Sequence, residues 1–231
     1  MNCLSIIFNK FAKSTYSPTS MKEEVLSRLP VATLTMSVYL KAHAMRPTVE
    51  FSEHDPFEIH WVDPETITHV SDNTLPVLLS RVKGGSWDKE TALFSESPVY
   101  RSIERWYYEG APWKETPLYD KFKRTVRTEK AWGYKSVEDF ARRTREIEQL
   151  IESIQSDGYK MQAVLICEGD SDSNDPVPPL LNEVTIDIGR DGEPLWRAFG
   201  QHRLAIAKLL DIDEVPVLVA TRHRSWINDA T

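Results

Sequence analysis

The stretch from Glu183 to Trp226 constrains this chain more than any other part of it. Val184, Ile186 and Ile188 alternate with Thr185 and Asp187, the period-2 pattern of a strand. Gly189-Arg190-Asp191-Gly192 follows, and Asp-Gly favours the left-handed geometry that a hairpin turn requires. Leu195 to Phe199 returns as a second strand. Gln201 to Leu210 then reads as a helix through Leu204, Ala205, Ala207 and Leu210, and Val215 to Ala220 as a final apolar strand. Hairpin, helix and strand in that order make a compact αβ unit, so the expected class is α/β (α+β) with a small mixed sheet.

The junction at Gly200 carries the chemistry. A glycine just before a helix lets backbone amides approach a ligand closely, and the first helical N–H groups lack internal partners. The helix dipole favours an anion at that end. Arg203 adds a planar fork of donors suited to phosphate, and His202 a donor that can switch with pH. Gly200, Gln201, His202 and Arg203 are therefore the candidate phosphate-binding residues. A tight turn at Gly200 with Arg203 in a surface ion pair accounts for the same pattern.

Gly200-Gln201-His202-Arg203-Leu204-Ala205-Ile206-Ala207-Lys208, followed by Asp213-Glu214-Val215-Pro216-Val217, resembles the signature segment of ParB/sulfiredoxin-like domains. Phe57 to Thr68, with Asp63-Pro64-Glu65-Thr66-Ile67, resembles the opening strand and turn of the same superfamily. The resemblance implies a ParB/sulfiredoxin-like domain over 57–226, with a helical insertion at about 84–160. It also implies a nucleoside triphosphate with Mg²⁺ as ligand, gripped at the glycine-basic turn. Members of that superfamily include CTP-binding partition proteins, ATP-using sulfinic acid reductases and free-serine kinases. Sulfinic acid reduction needs a cysteine where Gln201 stands, and the kinase motif places other residues at Phe199 and Gln201. A partition role brings a helix-turn-helix after the nucleotide domain, for which the segment ending at Thr231 leaves no room. Gly84-Gly85-Ser86-Trp87-Asp88, Gly110-Ala111-Pro112-Trp113 and Arg222-His223-Arg224-Ser225-Trp226 also resemble elements shared by a group of prokaryotic proteins.

Two carboxylates are candidates for catalysis or for a metal. Glu183 opens the strand that precedes the turn, and Asp88 follows two glycines and a tryptophan. For each, a plain structural role accounts for the residue too: an exposed strand-end carboxylate for Glu183, a cap or loop hydrogen bond for Asp88. Arg222 and His223 end the last strand, where Arg222 is a candidate second phosphate contact and a solvated strand edge accounts for them equally. Arg101 and Arg105 are one helical turn apart, and pairing with Glu104 or Glu109 is the favoured reading. Trp106, Tyr107, Tyr108, Trp113, Tyr119 and Phe122 are expected to fill a core rather than to stack bases. No histidine has zinc-ligand spacing, and no metal site is assigned.

The remainder reads as follows. Residues 1–20 are a tail, with Met21 an alternative start. Residues 21–56 hold N-terminal helices, broken at Pro30, and a loop. Phe57 to Val62 is a strand, Glu65 to Val70 a helical turn and Leu75 to Val82 a strand. Pro98 to Glu109 is a helix between Ser97 and Gly110; a second runs from Pro117 to about Arg127, and a third from Ser136 to Gly158. Met161 to Cys167 is a strand, 168–179 a loop and 227–231 a tail.

The 231 residues carry a formal net charge of −7 and two cysteines. That balance gives no general pull toward nucleic acid, and two cysteines make no disulfide framework. The most apolar stretch, Leu29 to Leu40, falls well short of the ~20 residues a spanning helix needs, so no membrane partner is expected. The expectation is a cytoplasmic protein that binds a nucleotide or phosphorylated small molecule, with phosphoryl or nucleotidyl transfer or hydrolysis as its chemistry. A non-catalytic nucleotide-gated module and a DNA-associated ParB-like protein are the alternatives.

Overall fold

In a computed structural model, which describes residues 49–75, 77–89, 91–126, 136–162, 164–165 and 182–229, one mixed sheet organises the chain. The expected tail at 1–20, the helices over 21–46 and the loop at 168–179 lie outside the described residues. The strands are β1 (His60–Val62), β2 (His69–Val70), β3 (Arg81–Lys83), β4 (Val184–Ile188), β5 (Pro194–Ala198) and β6 (Val215–His223). The α-helices are α1 (Pro98–Glu109), α2 (Pro117–Val126), α3 (Val137–Asp157), α4 (Gln201–Leu209) and α5 (Arg224–Asp229).

Every residue of β6 is buried, because strands flank it on both edges and side chains cover both faces. On one edge it pairs with β4 in parallel, Val184 opposite Val217 and Ile188 opposite Arg222. On the other, β1 lies antiparallel against its first half and β3 parallel against its second. β4 and β5 form the expected hairpin, and β2 closes the far edge parallel to β5. Helix α4 is thus the crossover that returns the chain from the hairpin to β6, parallel to β4.

Among the described residues, apolar side chains gather in a larger and a smaller cluster. Val184, Ile186, Val215, Val217 and Val219 pack with Leu204 and Ile206 of α4 and with Val99, Ile103, Phe122, Phe140 and Ile151 of α1–α3. Phe57, Leu79, Leu218 and Ala220 form a smaller cluster of their own. At ~25 cal/mol per Å² of buried apolar surface, the larger cluster supplies most of the driving force.

Local signals placed the insertion helices well. Ser97 Oγ accepts from Tyr100 N–H at 3.2 Å, Pro98 takes the first helical position, and Gly110 ends α1 at φ 65°. Ser136 Oγ accepts from Asp139 N–H at 3.1 Å, and Gly158 ends α3. Five expectations need correction. Only His60–Val62 of the Phe57–Val62 run is strand. The turn after Asp63 spans Pro64–Thr66, and His69–Val70 is strand, not helix. Ser80, at φ 63°, breaks the Leu75–Val82 run and leaves Arg81–Lys83 as the strand. The run from Met161 is helical where described: Val164 and Leu165 N–H both bond Met161 O, at 3.0 and 3.2 Å. A short apolar run has no period that separates strand from helix. Helix α5 also runs into the stretch expected as a C-terminal tail. Among the described residues, no helix is long and apolar enough to cross a membrane.

Candidate functional site at the Gly200 turn

Phe199 (φ 50°) and Gly200 (φ 57°, ψ 15°) are consecutive left-handed residues that swing the chain from β5 into α4. A Cβ on Gly200 would lie 2.8 Å from the backbone nitrogen and Cα of Val184, so glycine is required for space as well as for conformation. No side chain caps α4, and its first ladder bond runs from Leu204 N–H to Gly200 O at 2.8 Å. The amides of Gln201, His202 and Arg203 therefore precede the ladder, the orphan donors of a helix start.

Helix α3 brings a cation to this point. Arg143 Nη2 lies 3.4 Å from His202 Nδ1, while its Nη1 donates to Glu146 at 3.0 Å. A guanidinium only donates, so Nδ1 accepts and the imidazole proton sits on Nε2. That Nε2–H is buried with no hydrogen-bond partner. Burial, then the charges of Arg143 and Lys121, push His202 down to about 3. His202 is thus a fixed neutral donor near neutral pH, and the expected pH switch is absent.

Arg203 also departs from expectation. It is 6 % exposed and turns inward. Its Nε donates to the Tyr159 hydroxyl at 3.3 Å, its Nη2 donates to Lys160 O, and its guanidinium lies 4.3 Å from the centre of the Tyr159 ring. The fork meant for phosphate is used within the protein, fastening the end of the insertion to α4. Burial pushes the Tyr159 hydroxyl up to about 12.

Glu183 stands beside this lock and is 2 % exposed. Oε1 accepts from Gln162 N–H at 2.6 Å, while Oε2 is buried without a partner. Burial outweighs the nearby Arg203 charge and the Gln162 hydrogen bond, so the carboxyl is pushed up to about 7. A buried carboxyl that titrates near neutrality, with one free oxygen, is suited to carrying a proton.

Arg222 and Asp88 lie elsewhere. Gly200 abuts Val184 at the start of β4, whereas Arg222 pairs with Ile188 at its end, four residues or ~13 Å further along at the usual strand rise. Arg222 is buried, 3.4 Å from His60 Nε2. Asp88 holds Arg190 with two 2.7 Å contacts and accepts the Arg190 N–H at 3.0 Å, which keeps its carboxyl down at about 2. Asp88 therefore clamps the Gly84–Asp88 loop to the β4–β5 turn. Mg²⁺ has no fitting ligand in either carboxylate: Asp88 is consumed by Arg190, and Glu183 resists ionisation beside Arg203. No group of three or more His, Cys, Asp or Glu that could hold a metal occurs among the described residues.

Comparison with protein-family models, with curated proteins and with solved structures gives no match for this chain.

The structure brings Glu183, Gly200, Gln201, His202 and Arg203 together and adds Arg143, Lys121 and Tyr159, which sequence reasoning missed. Nothing local marks Arg143 or Lys121, since α2 and α3 carry several exposed cations each, and Tyr159 follows α3 without a motif around it. Arg101 and Arg105 pair with Glu104 and Glu109, at 3.7 and 3.3 Å, as favoured from the sequence. Phe122 is buried, and Trp106 stacks on Trp113 with ring centres 5.6 Å apart.

Proposed function

We propose that the start of α4 binds the phosphate of a nucleotide or phosphate ester, in a domain of ParB/sulfiredoxin-like type. The observation that carries this reading is the pairing of an uncapped helix start with the orphan Nε2–H of neutral His202. Three features support it further: the helix dipole, the cations Arg143 and Lys121 on α3 and α2, and a carboxyl at Glu183 titrating near neutrality. Phosphate is then held by backbone amides, His202 Nε2–H and Arg143. Arg203 shapes the turn from within.

If turnover follows, Glu183 supplies the proton transfer that phosphoryl or nucleotidyl transfer or hydrolysis needs, with the rest done by positioning and charge. One observation favours the alternative of a nucleotide-gated module. Arg203 bonds Lys160 O, so an anion that draws Arg203 outward releases the segment after α3.

Thermal unfolding against CTP, ATP, GTP and UTP with Mg²⁺ tests the reading. A nucleotide at about a hundred times its dissociation constant stabilises by roughly 2.7 kcal/mol, a melting shift of roughly 5–10 °C at this size. The shift is expected for at least one nucleotide and is expected to shrink in Arg143→Gln. No shift with any of them sinks the reading. Release of labelled phosphate separates enzyme from switch.

A further inference from the structure

A second polar cluster, separate from the Gly200 turn, sits at the other end of β4. Asp187 is fully buried there. Its Oδ2 accepts from Ser71 Oγ at 2.6 Å and from Asn73 Nδ2 at 3.2 Å. Asn73 Nδ2 also reaches Thr221 Oγ1 at 3.1 Å, and Lys83 Nζ donates to Asn73 Oδ1 at 3.2 Å. Arg197 Nε stands 3.4 Å from Asp187 Oδ2. The register between β4 and β6 slips by one residue at Ile186/Asp187, and Asp187 then pairs with Thr221. Lys83, Thr221 and Asp187 thus come from the carboxyl ends of three parallel strands, β3, β6 and β4, the end of an open α/β sheet where ligands bind.

One buried acceptor in this cluster is unsatisfied: Asp187 Oδ1 has no donor, while Arg197 Nε makes no hydrogen bond and is held only by its ion pair with Asp187 Oδ2. Leaving such groups unpaired is costly, and native structures rarely do so without a reason. Lys83 and Arg197 are half-buried rather than sealed, and Asp72, Thr74 and Leu75 beside them are exposed. Lys83 lies within the influence of two cations, Arg81 and Arg197, and of the carboxyls of Asp187 and Asp72.

We propose that this cluster is a ligand site for an oxyanion that carries its own O–H, of which hydrogen phosphate is the simplest. The anionic oxygens take the Lys83 ammonium and Arg197 Nε, and the O–H donates to Asp187 Oδ1. Sulfate has the same shape and charge but no proton to give at neutral pH. It leaves Asp187 Oδ1 unsatisfied and sets two negative groups face to face, so the site discriminates between the two ions. The proposal does not depend on the reading of the Gly200 turn.

Amide ¹H–¹⁵N spectra during titration with inorganic phosphate or with sodium sulfate, at matched ionic strength and neutral pH, test it. Phosphate is expected to shift the amides of Ser71, Asn73, Lys83 and Thr221 at concentrations at least about tenfold lower than sulfate, the discrimination an unpaired buried acceptor supplies. Lys83→Gln is expected to weaken that response about tenfold, since a partly buried charge contact is lost. Asp187→Asn, whose amide donates to sulfate, is expected to erase the preference. Should that variant fail to fold, Lys83→Gln and Arg197→Gln decide the matter. No phosphate response at those four amides, an equal response to sulfate in the wild type, or an unchanged response in Lys83→Gln overturns the proposal. Anion binding at the Gly200 turn is read separately, from the amides of Gln201 to Leu204.

Discussion

Glu183 and Asp187 are both buried carboxylates at the two ends of β4, and the protein treats them differently. Asp187 receives the Ser71 hydroxyl and the Asn73 amide on one oxygen, with Arg197 alongside. Glu183 receives one backbone N–H and lies within the influence of Arg203. Burial raises both; the Ser71, Asn73 and Arg197 contacts oppose that rise at Asp187, while Glu183, with one backbone donor and the Arg203 charge nearby, is pushed up to about 7. At both carboxyls, hydrogen bonds to the ionised form oppose the rise that burial imposes. Asp88 marks the far limit, held at about 2 by a bidentate arginine.

The largest effect on this contrast is expected from Arg203→Ala. It removes the cation whose charge holds Glu183 down, and it unfastens Tyr159 and Lys160 from α4. Breaking such a buried arrangement costs about 3–5 kcal/mol, measurable by urea unfolding. Glu183 is expected to titrate still higher in the variant.

Next comes the pH dependence of stability. The native state holds the Glu183 proton more tightly than the unfolded chain, where the ordinary value is 4.5. The stability it contributes is complete below 4.5 and is lost as pH rises through about 7. About 3 kcal/mol is at stake at 1.36 kcal/mol per unit, and Glu183→Gln is expected to flatten that limb of the profile. His202 acts with the opposite sign. Its proton affinity is depressed, so its contribution is present above the ordinary 6.5 and falls away as pH drops toward 3. His202→Gln is expected to flatten the acid limb alone.

Asp88→Asn comes third, with an expected loss of about 2 kcal/mol in calorimetric stability at pH 7, because the side chain is buried and its low value reflects the Arg190 contact. In the wild type that contribution disappears as pH falls from 3.8 through about 2. The smallest effect is expected from Arg143→Gln. Its side chain is 43 % exposed, so the stability change should stay within about 0.5 kcal/mol while nucleotide binding weakens. A large stability loss there would mean that Arg143 is a structural prop.

Much of the frame was legible because its signals are local. Ser97, Pro98 and Gly110 bound α1, Ser136 and Gly158 bound α3, and Asp191-Gly192 turns the hairpin, each through chemistry within a few residues. The strands around Val77 and Met161 were misread because apolar runs there carry no period, and a single left-handed residue, Ser80, redirected one of them. The site was half legible. Gly200 announces the turn, but whether Arg203 faces a ligand or Tyr159 is decided by residues 44 positions away. The Asp187 cluster was hidden for the same reason, since Ser71 and Lys83 join it only through sheet pairing. One clue was present: alternation in β4 sets Asp187 opposite Val184 and Ile186, and the second core leaves that face covered too.

A ¹³C NMR titration of the glutamate and aspartate side-chain carboxyl carbons tests the central contrast most directly. With free protein, Glu183 is expected to titrate near 7, and a bound nucleotide should move it higher, because phosphate charge beside a carboxyl disfavours its ionisation. A midpoint in the ordinary glutamate range, unmoved by every nucleotide, would contradict both the proton-carrying role of Glu183 and the phosphate site at the start of α4.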